Sequence, residues 1–232
     1  MDMSYKYTEY IYMSNKKNDV QMDRRTRKRL ATRQAISDAA TCLFMERGFD
    51  QVTIDEIANA ADVGRMTVFN HFPRKEDMFF DREEEARNLA FDTIRSRPSG
   101  TSPIEALGAL AHQMIEQPSE AFPLFEHTQA FVETALASET LKARARQMRD
   151  HFVQDLAALF EKEHPDWADD MLAYLSAGLI ASAWSTAFLR AHAELSRTGD
   201  VQAAKRVFLA IIDRGIVGTL AALDGRPLLG TT

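Results

Sequence analysis

The residues able to do recognisable chemistry lie together in "TIDEIANAADVGRMTVFNHFPRKEDMFF", Thr53 to Phe80. Arg65, Met66, Thr67 and Asn70 are side-chain types that read base edges. Arginine pairs with guanine, asparagine with adenine, and an apolar group meets the thymine methyl. Thr53, His71 and Lys75 are suited to phosphate instead, through a hydroxyl at a positive helix start and donors near the far end. Upstream, Arg24, Arg25, Arg27, Lys28, Arg29 and Arg33 fall within ten residues. Such a cluster is a solvated charge run or a phosphate-binding arm, and Arg29 and Arg33 are the members nearest the motif.

Positioning these groups requires two short helices and a tight turn. Thr53 with Glu56 three residues on forms a capping-box signature, followed by Ile54, Ile57, Ala58 and Ala61 at helical spacing. Asp62 and Val63 read as the turn, and a second short helix is expected over about 64–72. At 100° per residue Val68 and Phe72 then face inward, while Met66, Thr67 and Asn70 point away and Arg65 projects from the tip. A first helix is expected over about 25–47 and ends at Gly48. Pro73 begins a fourth, expected as one run over about 74–97. This arrangement is a helix-turn-helix, whose second helix enters the DNA major groove.

The segment resembles the TetR family of transcription regulators. The likeness rests on Thr53, Ile57, Ala58, Val63, Thr67, Phe69, His71, Phe72, Lys75, Glu76 and Met78, preceded by "RQAISDAATCLFMERGFDQ". Phe69 stands where the family usually has tyrosine, so a phosphate hydrogen bond is missing there. Asp62 stands where the turn glycine is usual, which an aspartate tolerates better than most residues. Gly64 replaces the usual serine cap. The resemblance implies an all-α chain with an N-terminal helix-turn-helix domain and a C-terminal helical region that binds a small effector and forms a homodimer. It implies a repressor of a double-stranded, pseudo-palindromic operator.

The remainder of the chain agrees with that frame. It has 232 residues and a net charge of −6, yet residues 1–78 carry 13 Lys/Arg against 12 Asp/Glu and residues 79–232 carry 15 against 22. A basic arm therefore sits beside an acidic body. Strand periodicity is almost absent, and helices are expected near 103–116, 119–135, 138–163, 167–197 and 201–223. The domains expected are a flexible extension over 1–22, a DNA-binding domain over 23–80 and a ligand-binding and dimerisation domain over 81–232. "RPSGTSP" (97–103) marks the joint. Aromatic and polar groups of the middle helices, His112, Phe122, Phe125, His127, Phe131, Phe152, Trp184 and Phe188, are the effector candidates, favouring an apolar or aromatic ligand. Small residues along 167–197 and bulky ones along 201–223, among them Ile212, suggest a four-helix dimer interface.

The six histidines show no metal-ligand spacing, and no nucleophile elbow or glycine-rich phosphate loop occurs. No cofactor, metal or enzymatic activity is expected. The start lacks the features of a secretory signal and the longest apolar stretch is broken by serines, so a cytoplasmic protein without a membrane span is expected. A DNA-binding protein without effector, serving chromosome organisation, and a helical enzyme are the competing readings.

Overall fold

A computed structural model describes residues 23–118, 124–125, 128–165, 167 and 171–223. The extension over 1–22 lies outside them. Among the described residues there are ten α-helices and no strand, so the chain is all-α. The helices are α1 (Arg24–Arg47), α2 (Ile54–Ala60), α3 (Arg65–His71), α4 (Lys75–Phe79), α5 (Glu83–Arg95), α6 (Pro103–Glu116), α7 (Gln129–Ala137), α8 (Glu139–Glu163), α9 (Leu172–Thr198) and α10 (Val201–Leu223).

Local signals explain most boundaries. Asp23 caps α1, accepting from the amides of Arg25 and Thr26, and Gly48 ends it at φ 83. Thr53 and Glu56 make a reciprocal capping box on α2. Asp62 adopts φ 51 in the turn, the left-handed conformation expected of it. Ser102 and Glu105 repeat the box at α6, with Pro103 in its first turn.

The expected single helix over 74–97 is instead two, α4 and α5, separated at 80–82. The break lets residues on both sides of Phe80 reach α1. Phe79 is buried, and Asp81 two residues on accepts a hydrogen bond from Ser37 of α1. An unbroken helix would set residues 79 and 81 about 200° apart, sending one of them away from α1.

The chain forms two compact units. The first holds the described residues within 1–83 and 127–144, the second those within 84–126 and 145–232. In the first unit Ile36, Phe44, Ile57, Val68, Phe72 and Phe79 share one core. The α7 segment returns to this core from the middle of the sequence. Phe131 stacks on Phe79 with centroids 4.3 Å apart, and Leu141 is fully buried. Arg144, 15% exposed, bridges Asp77 and Glu83 at 3.3 and 2.6 Å.

In the second unit α9 and α10 pair as a close antiparallel hairpin. A Cβ placed on Gly215 would lie 2.3 Å from the Ala183 Cβ, and one on Gly108 of α6 would lie 3.0 Å from Ile216 Cγ1. The "RPSGTSP" turn belongs to this unit, where Arg97 donates to the carbonyls of Ile94 and Thr101 and pairs with Glu163 at 2.6 Å. By length and composition alone α9 is apolar enough to cross a membrane, a test that the core helix of a soluble protein also passes, and a third of that window is buried within the protein. Ala173, Ala177, Ala181, Ala187 and Ala191 bury one face, while Leu175 and Leu179 remain exposed.

The Gly215 contact generates a test. Alanine normally gains about 1 kcal/mol over glycine in a helix, but here its methyl would push the hairpin apart, and overpacking costs roughly 1–3 kcal/mol. Gly215→Ala should therefore lower the thermal midpoint seen by circular dichroism. Gly178→Ala, with nothing within 4 Å of its added Cβ, should not.

Candidate nucleic-acid interface

Helix α3 has seven residues and two distinct faces. Val68 is fully buried and Phe72, capping its C-terminus, is nearly so. Opposite them Arg65, Met66 and Asn70 are exposed, Met66 by 69%, with Thr67 and Phe69 half-buried at the margin. No side chain caps the N-terminus of α3, where the Gly64 carbonyl accepts from the Thr67 and Val68 amides. The structure thus brings Arg65, Met66, Thr67, Phe69 and Asn70 onto one short helix, as their spacing implies.

The groups expected to meet phosphate are placed differently. Arg33 donates from Nη1 to the His71 carbonyl at 2.6 Å, with its guanidinium 4.0 Å from the Phe72 ring centroid. It ties down the C-terminal end of α3, where a cation complements the unpaired carbonyls. Arg29 is exposed on α1. Burial, then Arg33 and Arg29, holds the His71 imidazole below its ordinary value, so near neutral pH it is an uncharged hydrogen-bonding group.

Lys75 is turned inward. Its ammonium donates to the Phe49 carbonyl and lies 4.2 Å from the Phe49 ring centroid, and desolvation lowers its pKa. In this arrangement it is a packing and capping group of the first unit rather than an open phosphate donor. Thr53 is engaged as well. Its hydroxyl donates to Glu56 Oε2 at 2.8 Å and accepts from the Glu56 amide at 3.3 Å. The Thr53 amide and hydroxyl, together with Arg47 at 2.7 Å, pull Glu56 down to about 2. The start of α2 therefore already holds an anion.

Sequence reasoning missed Asp55, in the first turn of α2. Both its carboxylate oxygens accept from Arg65 Nη1, at 3.0 and 2.9 Å. An acidic residue at a helix start is an ordinary dipole-compensating feature, so nothing local in the sequence singles out this pairing across ten residues.

The effector candidates separate into groups. Phe125, Trp184 and Phe188 join Phe208 and His192 in one aromatic cluster of the second unit: Trp184–Phe208 5.8 Å, Phe208–Phe125 6.0 Å, Phe125–His192 5.3 Å and Phe188–His192 4.4 Å. His192, absent from the expected set and 3% exposed, lies with its Nε2 2.9 Å from the Leu124 carbonyl, the geometry of an Nε2–H donor. Its Nδ1 and the Trp184 Nε1 are buried without a hydrogen-bond partner among the described residues. Burial lowers the His192 pKa, opposed by the Leu124 contact, so the ring is neutral and Nδ1 is an acceptor. His112 is instead half-exposed and paired with Asp213 at 2.8 Å. Phe152 packs edge-on to Phe91. Phe131 belongs to the core of the first unit, because its stacking on Phe79 commits its ring there. Phe122 and His127 lie outside the described residues.

A helical unit whose short, capped α2 is followed by a turn and an exposed reading helix defines a helix-turn-helix protein. Residues 36–81 match the family model described as bacterial regulatory proteins, tetR family, so this N-terminal region is similar to that family. It is 30% identical over 83 residues to the HTH-type transcriptional regulator TcmR of Streptomyces glaucescens, covering 36% of this chain and 37% of that protein. It is 22% identical over 128 residues to IcaR of Staphylococcus epidermidis, a negative transcriptional regulator of the biofilm operon icaADBC, covering 55% and 64%. The matches thus span less than two thirds of each of these relatives. NalD, the secondary repressor of the MexAB-OprM multidrug efflux pump in Pseudomonas aeruginosa, shares the fold at a TM-score of 0.51 and 21% identity, over 80% of this chain and 97% of that one. SmeT in complex with triclosan does so at 0.51 and 22%, over 87% and 96%. The relatives named are transcriptional regulators.

The α2 cap has a pH signature. Because the folded pKa of Glu56 is depressed, its stabilisation is present above the ordinary value of 4.5 and is lost as pH falls toward about 2. Urea unfolding followed from pH 6 to pH 3 should show a smaller loss of stability in Glu56→Gln than in wild type. Parallel losses in the two proteins would remove Glu56 from the cap.

Proposed function

We propose that the protein is a homodimeric transcriptional repressor that binds a pseudo-palindromic DNA operator and is released by a small apolar or aromatic effector. The observation that carries the DNA reading is the two-faced α3, buried through Val68 and Phe72 and open through Arg65, Met66 and Asn70. Residues 23–80 carry the reading function, and the chain from 81 onward carries effector binding and dimerisation. The protein works in the cytoplasm, where its operator is. Kinship with regulators such as IcaR supports repression rather than catalysis.

The dimer reading rests on exposed apolar groups of the α9–α10 hairpin. Leu175, Leu179 and Leu189 of α9 and Val217 of α10, 67% exposed, leave apolar groups in solvent. Helical periodicity from the Ala183–Gly215 contact turns the three leucines to one flank of α9 and Val217 to the side of α10 away from α9. Ile212, expected at the interface, is fully buried within the protomer's own core because it faces Phe125, Ala187 and Ala191.

The effector reading rests on the Trp184–His192 cluster. A neutral aromatic molecule bearing a hydrogen-bond donor would satisfy His192 Nδ1, and an acceptor would satisfy Trp184 Nε1. The structural neighbour SmeT is known bound to triclosan, which agrees with an aromatic ligand in this fold.

Two measurements test the proposal. Arg65→Ala and Asn70→Ala should each weaken specific operator binding by about 1–3 kcal/mol, read by titration of labelled duplex at fixed salt. Unchanged affinity in both would displace α3 from the groove. In sedimentation, Leu179→Glu and Val217→Glu should shift the wild-type dimer to a folded monomer. Ile212→Glu should unfold the chain, because it buries an unpaired charge.

A further inference from the structure

The Asp55–Arg65 pair sits on the face assigned to DNA, and an acid there needs a reason. A carboxylate beside phosphates opposes binding, and the two side chains are too exposed, 58% for Arg65 and 61% for Asp55, for their ion pair to matter much to the fold. The geometry suggests another role. Both Asp55 oxygens converge on a single nitrogen, Arg65 Nη1. The Phe69 ring, one turn along α3, lies 5.7 Å from the guanidinium carbon. The guanidinium is thus held by a carboxylate at Nη1 and neighboured by an aromatic ring.

Holding Nη1 leaves Nε and Nη2 unengaged by this pair. They form an edge of the planar fork whose parallel N–H groups match guanine O6 and N7. We propose that Asp55 is a positioning residue for base recognition, which fixes Arg65 so that its Nε/Nη2 edge meets a guanine in each operator half-site. Two consequences follow from the charges. The long arginine loses rotamer freedom before DNA arrives, so less is lost on binding. The carboxylate also repels phosphate, which discourages Arg65 from settling on the sequence-independent backbone. This inference rests on the reading of α3 as the DNA-contacting helix.

The test is selection of full-length protein on a pool of randomised duplexes, with wild type, Asp55→Asn, Arg65→Ala and the double variant. Wild type should require guanine at one position per half-site. Arg65→Ala should abolish that preference, and Asp55→Asn should relax it at the same position by roughly tenfold. Preferences elsewhere should be unchanged and affinity for random DNA unchanged or higher. The double variant should be no more relaxed there than Arg65→Ala alone. A purely structural role for Asp55 would shift affinity for all sequences alike with the guanine preference intact, and that outcome would overturn the inference. So would a guanine preference that survives Arg65→Ala. Wild-type protein that selected no sequence at all would remove the regulator reading along with it.

Discussion

The reading surface depends on the burial of Val68 and Phe72 beneath a helix too short to hold itself. Seven residues of α3 cannot form a stable helix alone, because nucleation costs more than a single turn returns. Fully burying side chains of this size contributes about 1.5–3 kcal/mol each, and Arg33 ties down the far end through the His71 carbonyl. Gly64 supplies no side-chain cap, so tertiary contacts rather than the local start hold the helix. This leaves Arg65, Met66 and Asn70 free of any packing duty.

Several polar groups near that surface are occupied before any partner arrives. Thr53 and Arg47 serve Glu56, Lys75 serves the Phe49 carbonyl, and Arg65 meets Asp55. The first three satisfy groups that would otherwise be left unpaired at helix ends or in a partly buried site. They build the platform, and in the proposed reading base recognition falls to the few side chains left over. The face of α3 is thus sparse and has an acid in it, unlike a broad positive patch; on DNA, as proposed, such a face favours discrimination over bulk attraction.

The second unit obeys a different constraint. The close pairing of α9 with α10, set by Gly215 against Ala183, forces each helix to divide its apolar residues between two sides. One side fills the protomer core around Phe208 and Ile212, and the other leaves Leu175, Leu179 and Val217 outward. The buried aromatic cluster keeps two polar atoms, on Trp184 and His192, without a hydrogen-bond partner among the described residues. Such groups are costly unless something satisfies them, which is what supports the proposed effector reading of this cluster.

The sequence by itself determined what is local. The cap at Thr53 and the stop at Gly48 were legible there, and helical periodicity set the bounds of α6, α8 and α10 to within a residue or two. The same periodicity assigned Val68 and Phe72 inward and Met66 outward, because a seven-residue helix with one apolar stripe has only one way to pack. Tertiary structure decided the rest. Arg33 reaches His71 across 38 residues and Lys75 reaches Phe49 across 26, and a flexible cation's side-chain type does not reveal whether its head group turns to solvent or to a carbonyl. The break between α4 and α5 came from a half-buried Asp81 paired with Ser37, a demand no helix propensity encodes. On α10, apolar nearly all round, pattern cannot rank Ile212 against Val217. Only the direction of the neighbouring helix buries the first and exposes the second.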